Sequence, residues 1–280
     1  LGIISHPCLD AELEEGRTLF NFVVQYYQNL LVPSEIILSH DIEDKELLYE
    51  FFNKKVNIIT NPHGINKQLL DMALENSKEY LNKYIEKERL KYNNTIGAVK
   101  SLQEKLHLKN TPMRMECYDI SNISGTNKVC SMVVFKNGEA CKQHYRKFKI
   151  KTVKGANDFA SLAEALTRRL KRLKEQNGES FREKPDLIII DGGKGQISSC
   201  YEILKEFGFE QSIDMIGLAK KQEEVFFPNK PEPVLLRPGS AELKLIQRIR
   251  DEAHRFAITY HRYIRSQKQT RSPLDDIVGV

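Results

Sequence analysis

A mixed α/β architecture, in which a three-stranded antiparallel meander continues into parallel strands flanked by helices, is the fold this 280-residue sequence predicts. Three observations point there. Three strand-like stretches follow one another over residues 114–151, and the second and third are parted by the turn pair Asn137-Gly138. An unbroken apolar strand, Leu187 to Ile190, ends on Asp191 and opens through a glycine-rich turn into a helix. The last helical stretch, from Ser240 to about Ser266, carries an apolar stripe stepping by three and four residues.

Taken in order, the first third alternates an amphipathic Glu14 to Leu31, a β-like Glu35 to Ser39, a short helix at Lys45 to Phe52, a strand at Val56 to Thr60, and a helix from Ile65. That alternation predicts a small α/β region over residues 1–75 with a partly parallel sheet. From Asp71 to Leu108 Glu, Lys and Leu recur at helical spacing, interrupted at Asn93-Asn94-Thr95 and closed by Asn110-Thr111-Pro112. The expectation is a charged connector of two helices across 76–112.

Beyond it come strands at Arg114 to Ile120, Val129 to Lys136 and His144 to Lys151, and a helix from Asp158 to Leu173. The strand into Asp191 follows, then a helix from Gln196 to Phe207, a strand from Met215 to Ala219, and the last helix. This βββαβαβα order over 113–272 is that of RNase H-like folds, where the first strand lies beside the fourth. Asp119 and Asp191 would then stand on neighbouring strands, although other mixed α/β folds share the order.

With 40% hydrophobic and 29% charged residues the chain has the make-up of a globular protein with real cores. No apolar run approaches the roughly 18 residues of a membrane span, and residues 1–12 lack a basic segment followed by an apolar one, so no membrane role is expected. Five scattered cysteines, never spaced C-x-x-C, argue against a disulfide framework or structural zinc and fit a reducing cytoplasm. The net charge is only +5, but Ala241 to Arg271 holds eight Lys or Arg against three acids, a local excess that a polyanion would feel.

Asp119, in Glu116-Cys117-Tyr118-Asp119-Ile120-Ser121, ends a strand, and capping a turn would account for it as well as catalysis. Asp191 is more specific, because the C-terminal edge of strands in open α/β sheets is where ligands bind. In Gly192-Gly193-Lys194-Gly195-Gln196 the glycines let backbone approach a phosphate at a helix N-terminus. Lys194 nevertheless lacks the G-x-x-x-x-G and following Ser or Thr of a nucleotide phosphate loop, which weighs against a nucleotide-dependent phosphotransferase.

His254 sits at the edge of the stripe Ile246, Ile249, Ala253, Phe256, Tyr260 and Ile264, where its ring can reach a cleft as ligand or serve structure alone. His261 competes from the same side, about 10 Å further along the helix. Asp158 stands where a helix N-cap is expected, which suffices to explain it beside a catalytic role. Arg146, Lys147, Lys149, Lys151 and Lys154, with Arg248, Arg250, Arg255, Arg262 and Arg265, are interleaved with Tyr145, Phe148, Tyr260 and Tyr263. Such a surface contacts phosphates and bases, the bland alternative being a solvated face or a charged sheet edge.

Together the motifs Glu116 to Ser121, Tyr145-Arg146-Lys147-Phe148, Pro185 through Gln196, and Arg250 to Arg262 resemble the UvrC family of DNA-repair incision proteins. Phe20 to Tyr27 with Pro33 to Leu38 is similar to the region before that family's nuclease domain. The resemblance implies catalytic and metal-binding roles for Asp119, Asp191 and His254, a further acidic position at Asp158, and nucleic-acid contacts from Lys194, Arg146, Lys147, Arg250 and Arg255. It implies Mg²⁺ or Mn²⁺ as cofactor, damaged double-stranded DNA as substrate, and UvrB as partner, with UvrA acting indirectly. It further implies an incision 5′ of a lesion.

A GIY-YIG domain and a UvrB-binding segment are not evident in these residues, and 273–280 resembles the opening of a helix-hairpin-helix module, so a fragment is expected. The rival class is a non-catalytic DNA-binding scaffold of the same fold, against which the retention of all three ligand candidates counts.

Overall fold

The computed structural model describes residues 15–42, 45–53, 55–123, 127–153, 157–219, 224–228 and 230–270, with backbone alone at 15, 122, 123, 127, 219 and 260–270. The side chains of Tyr260, His261, Arg262, Tyr263, Ile264 and Arg265 therefore lie outside the description, as do Lys154 and the expected helix-hairpin-helix start at 273–280. The chain forms two compact units, Leu1–Arg89 and Leu90–Val280.

In the first unit, α1 (Glu15–Tyr27), β1 (Glu35–Ile37), α2 (Lys45–Phe51) and β2 (Asn57–Ile59) enclose a small core of Val23, Ile36, Leu48, Phe52 and Ile58. The strands are parallel, Ile36 facing Ile58, and α2 lies in the crossover that a parallel pair requires. Helix α3 (Ile65–Asn94) then runs thirty residues across the boundary with none of them buried. Its exposed Glu and Lys side chains pair one turn apart, as in Glu79–Lys83 at 3.3 Å.

The second unit opens with α4 (Ile96–Leu106), which is a core helix: Ala98, Val99, Leu102 and Leu106 sit in the main cluster and it packs on the last helix. Next come β3 (Arg114–Ile123), β4 (Asn127–Lys136), β5 (Glu139–Ala140), a 3-10 turn at Lys142–His144, and β6 (Arg146–Lys149). They are followed by α5 (Asp158–Lys174), α6 (Glu179–Arg182), β7 (Leu187–Asp191), α7 (Lys194–Glu206), β8 (Asp214–Ala219), β9 (Glu224–Phe226), β10 (Val234–Leu235) and α8 (Ala241–Thr270).

One sheet runs β10-β9-β8-β7-β3-β4-β5, with β6 also on β4. β3, β4 and β6 are the antiparallel meander, and β3, β7 and β8 are parallel. The RNase H-like order is thus realised, with the first meander strand beside the fourth. Asn137 and Gly138 both have positive φ, 53° and 79°, the turn that matches the twist of a tight hairpin. At Gly138 a Cβ would also stand 2.7 Å from the Thr95 backbone, so only glycine fits.

Two features differ from the sequence reading. The third meander strand is broken, because the 3-10 turn tucks His144 inward, where its ring meets the Arg114 guanidinium at 2.8 Å and its carbonyl accepts from the Ser180 hydroxyl. Two antiparallel strands, β9 and β10, extend the sheet past β8; they are three and two residues long among charges and prolines, too short for a period to show.

The sheet has two dressed faces. Side chains alternate along each strand and in-register neighbours share a face. Met115, Cys117 and Asp119 of β3 look toward α8, which packs on β3 and β4, whereas Glu116, Tyr118 and Ile120 look toward α5. Leu243, Leu245, Ile246, Ile249, Ala253 and Ala257 bury the inner side of α8.

Candidate active site

Asp119 and Asp191 are carried to the same edge of the sheet by two parallel strands. Tyr118 pairs with Ile190, so the next residue of each strand is an aspartate, and both side chains are largely buried on the α8 face. Burial pushes the Cys117 thiol well up, the Asp191 and Asp119 charges push it further, and Arg250 pulls the other way. Two carboxylates and a guanidinium therefore act on one point of the strand surface.

From above, α8 presents His254, whose Nδ1 lies 3.6 Å from Asp119 Oδ2, with the imidazole 58% exposed. The stripe that buries Ala253 leaves its neighbour at the helix margin, which is why a core helix can offer a solvent-facing ring at a strand end. Among the described residues no three of His, Cys, Asp and Glu close into a ready cation cage. Two adjoining carboxylates and an exposed imidazole edge are, in donor type, a set that divalent cations accept.

The position of the histidine is braced on both sides. Tyr145 donates its phenol to Glu252 at 3.0 Å, and Arg255 grips the same carboxylate through two bonds of 2.7 and 2.6 Å. The Arg255 bonds, ahead of the opposing burial, hold the Glu252 carboxyl below its usual range. Phe256 meets the Tyr145 ring edge-on at 5.1 Å, and Lys147 Nζ sits 4.5 Å from the Phe256 centroid.

A sequence model of the UvrC RNAse H endonuclease domain matches residues 103–258, and one of the UvrC Ribonuclease H-like domain matches residues 5–84. UvrABC system protein C of Dehalococcoides mccartyi is 44% identical over 281 residues, covering 98% of this chain and 46% of that protein. Its counterpart in Porphyromonas gingivalis is 46% identical over 219 residues, covering 78% and 36%. The crystal structure of human ENDOV aligns over 54% of this chain and 85% of that one, at 12% identity and a TM-score of 0.36. The chain belongs to the UvrC family. It spans about half the length of the curated relatives it matches.

Within this UvrC chain the remaining sequence candidates fall in different places. Asn157, not Asp158, caps α5: its side chain accepts from the Ala160 amide at 3.1 Å. Asp158 is the first helical residue and its carboxylate binds Lys128 at 2.9 Å. Lys194 opens α7, donates to the Pro231 carbonyl at 2.6 Å and lies 5.2 Å from the Phe226 centroid. Gln196 reaches back to the Gly193 amide at 3.0 Å and closes the turn on itself.

Lys147 and Arg146 lie on opposite faces. Lys147 pairs with Ser131, which pairs with Asp119, so the three form one lateral row under α8. Arg146 pairs with Met132, which pairs with Tyr118 on the α5 side, and Arg146 bonds the Gln143 and Tyr145 carbonyls. Arg250 reaches Asp251 at 3.5 Å.

Ser131 escaped the sequence reading. It is fully buried directly across from Asp119, and its hydroxyl has no hydrogen-bond partner among the described residues. The available signal was a single hydroxyl inside the otherwise apolar run Val129 to Phe135. The sequence reading also missed the network around Glu116. That carboxylate accepts from Arg114 at 2.9 Å, Arg169 at 2.8 Å and the Tyr118 phenol at 2.8 Å, all deep on the α5 face.

Proposed function

We propose that this chain is the nuclease part of an excision-repair endonuclease that hydrolyses a DNA phosphodiester, incising damaged double-stranded DNA 5′ of the lesion in a complex with UvrB. The observation that carries the reading is that Asp119 and Asp191 each follow the last register pair of two parallel strands, Tyr118 and Ile190, with His254 leaning over Asp119 from α8. Like charges held side by side in a partly buried site favour a cation between them. Asp119, Asp191 and His254 would hold Mg²⁺ or Mn²⁺, which supplies activation of water and neutralises charge on the leaving oxygen.

The chain's own residues do the positioning. Backbone pairing holds Asp119 against Ser131 of β4 and Asp191 against Leu218 of β8, so both carboxylates start from a fixed frame before substrate arrives. His254, at the rim, offers a nitrogen to the same centre and can carry a proton to or from solvent. Lys147 and Arg250 add positive charge on the α8 face, where a phosphate backbone would approach, and Arg255 keeps Glu252 paired while it borders the same surface. Lys194 shapes the glycine turn beside Asp191 and stands ready to exchange the Pro231 carbonyl for a phosphate. Asp158, tied to Lys128, serves to fix the start of α5.

The test is nicking of supercoiled plasmid by the purified chain with Mg²⁺, Mn²⁺ or EDTA, beside Asp191→Asn and His254→Ala. Metal-dependent nicking lost in both folded variants is the expected result; nicking that survives both sinks the site. The partner and the incision side are tested on a lesion-bearing duplex with UvrB and the complete protein, where the 5′ cut should vanish with Asp119→Asn.

A further inference from the structure

A second cationic surface lies on the face of the sheet away from the aspartates. The buried Phe181 ring of α6 is surrounded by three guanidiniums: Arg172 at 4.7 Å, Arg169 at 5.4 Å and Arg146 at 5.8 Å from its centroid. Arg169 is consumed by Glu116. Arg146 and Arg172 have no carboxylate partner among the described residues, and Arg146 makes only backbone carbonyl bonds. Arg182, next to Phe181 in sequence and exposed, bonds only the Gln176 carbonyl at 3.2 Å among the described residues.

Neighbouring cations of α5 and β4 are paired, Arg168 with Glu164, Lys171 with Glu175 and Lys128 with Asp158, whereas Arg146, Arg172 and Arg182 have no carboxylate partner among the described residues. Guanidiniums that share one aromatic ring repel one another, and part of that cost is met by the ring and by the C-terminal end of α5. The remainder asks for an anion. A planar guanidinium held on an aromatic face keeps its outward N–H edge in place for a phosphate.

We propose that Arg146, Arg172 and Arg182 form a phosphate-contacting ridge for duplex DNA, on the opposite side of edge strand β6 from Lys147. This rests on the DNA-nuclease reading and deepens it: the duplex engages both faces of that edge, so part of its grip lies outside the cleft that cuts it.

The experiment measures binding of a labelled duplex of several helical turns to the full chain across a salt series, for wild type, Arg146→Gln/Arg172→Gln and Arg146→Lys/Arg172→Lys. Each lost phosphate contact lowers the salt slope by about 0.9, so the glutamine pair should lose about 1.8 and its deficit against wild type should shrink about 12-fold between about 50 and 200 mM salt. The lysine pair should retain the slope, because charge and not stacking sets it. A slope unchanged in the glutamine pair overturns the ridge, and if Lys147→Gln still lowers it the nuclease reading stands alone. Should the double glutamine chain fail to fold, Arg172→Gln by itself must lose about 0.9. A wild-type chain that does not bind duplex at all defeats both readings.

Discussion

Glu116 and Asp119 stand three residues apart on one strand, and the sheet sends them to opposite faces. Glu116 is wholly buried among groups the chain itself provides: two arginines and a phenol satisfy it, and Arg114 is held in turn by Glu183 at 3.2 Å and the Ser180 carbonyl. Burial pushes its carboxyl up, yet Arg169 and then Arg114 more than offset this and keep it ionised below the usual range. Asp119 instead stands one residue past the Tyr118–Ile190 pair, beside the strand end that carries Asp191, with a half-exposed imidazole above it. Glu116 is thus answered by two arginines and a phenol, whereas the two carboxylates proposed to bind metal sit at adjacent strand ends. Substitutions on the two faces should therefore fail in different ways.

The largest expected effect is on the α8 face. Asp119→Asn or Asp191→Asn keeps shape and removes charge, so nicking should fall on the order of 10³-fold, the scale of several kcal/mol of transition-state stabilisation. The melting temperature should hold or rise, since carboxylate repulsion is relieved. A variant that nicks normally, or unfolds, would show that these carboxylates are structural like Glu116.

On the α5 face the order reverses. Arg169→Met strands Glu116 in the core and should cost about 3–5 kcal/mol of folding stability, read by chemical denaturation, with activity per folded molecule unchanged. Adding Glu116→Met should recover part of it, because Arg114 keeps Glu183. No recovery would mean that Arg169 acts through its bonds to the Phe181 and Glu183 carbonyls instead.

A smaller effect separates the faces by pH. Burial and the neighbouring Arg114 hold His144 below its ordinary value, and the Arg114 N–H pointing at Nδ1 requires that nitrogen to accept. The unfolded chain then binds the proton more readily, so stability is fully present above about pH 6.5 and is lost as pH falls from there through the folded value. His144→Gln should flatten that slope in denaturation curves at pH 5 and 8; an undiminished slope places the titration elsewhere.

How much of this was legible follows from the same contrast. The strand into Asp191, the Asn137-Gly138 turn and the stripe of α8 are local patterns that suggest the element order and place Asp119 and Asp191 on neighbouring strands, while only the family resemblance joins His254 to them. The Glu116 network was not readable, since it joins residues 53 and 66 positions apart that carry no shared period. Nor was the break before β6, because its cause, His144 seated under Arg114, is tertiary. Asp158 looked like a cap by residue type, but Asn157 serves equally well and sits one place earlier.

The finest test concerns Ser131, which belongs to neither class as it stands. Its hydroxyl is buried without a partner, which ordinarily costs about 1–3 kcal/mol. Directly opposed residues on antiparallel strands hold their Cβ atoms roughly 4.5–5.5 Å apart, so one rotation about χ1 lets this hydroxyl donate to Asp119. If that bond forms as the carboxylate engages a cation, Ser131→Ala should lower kcat about two- to tenfold with KM unchanged, the yield of one modest hydrogen bond, and Ser131→Thr should restore it. If the hydroxyl is merely unsatisfied, Ser131→Ala should raise the melting temperature and leave kcat alone, and Asp119 would then owe its orientation to backbone pairing and His254.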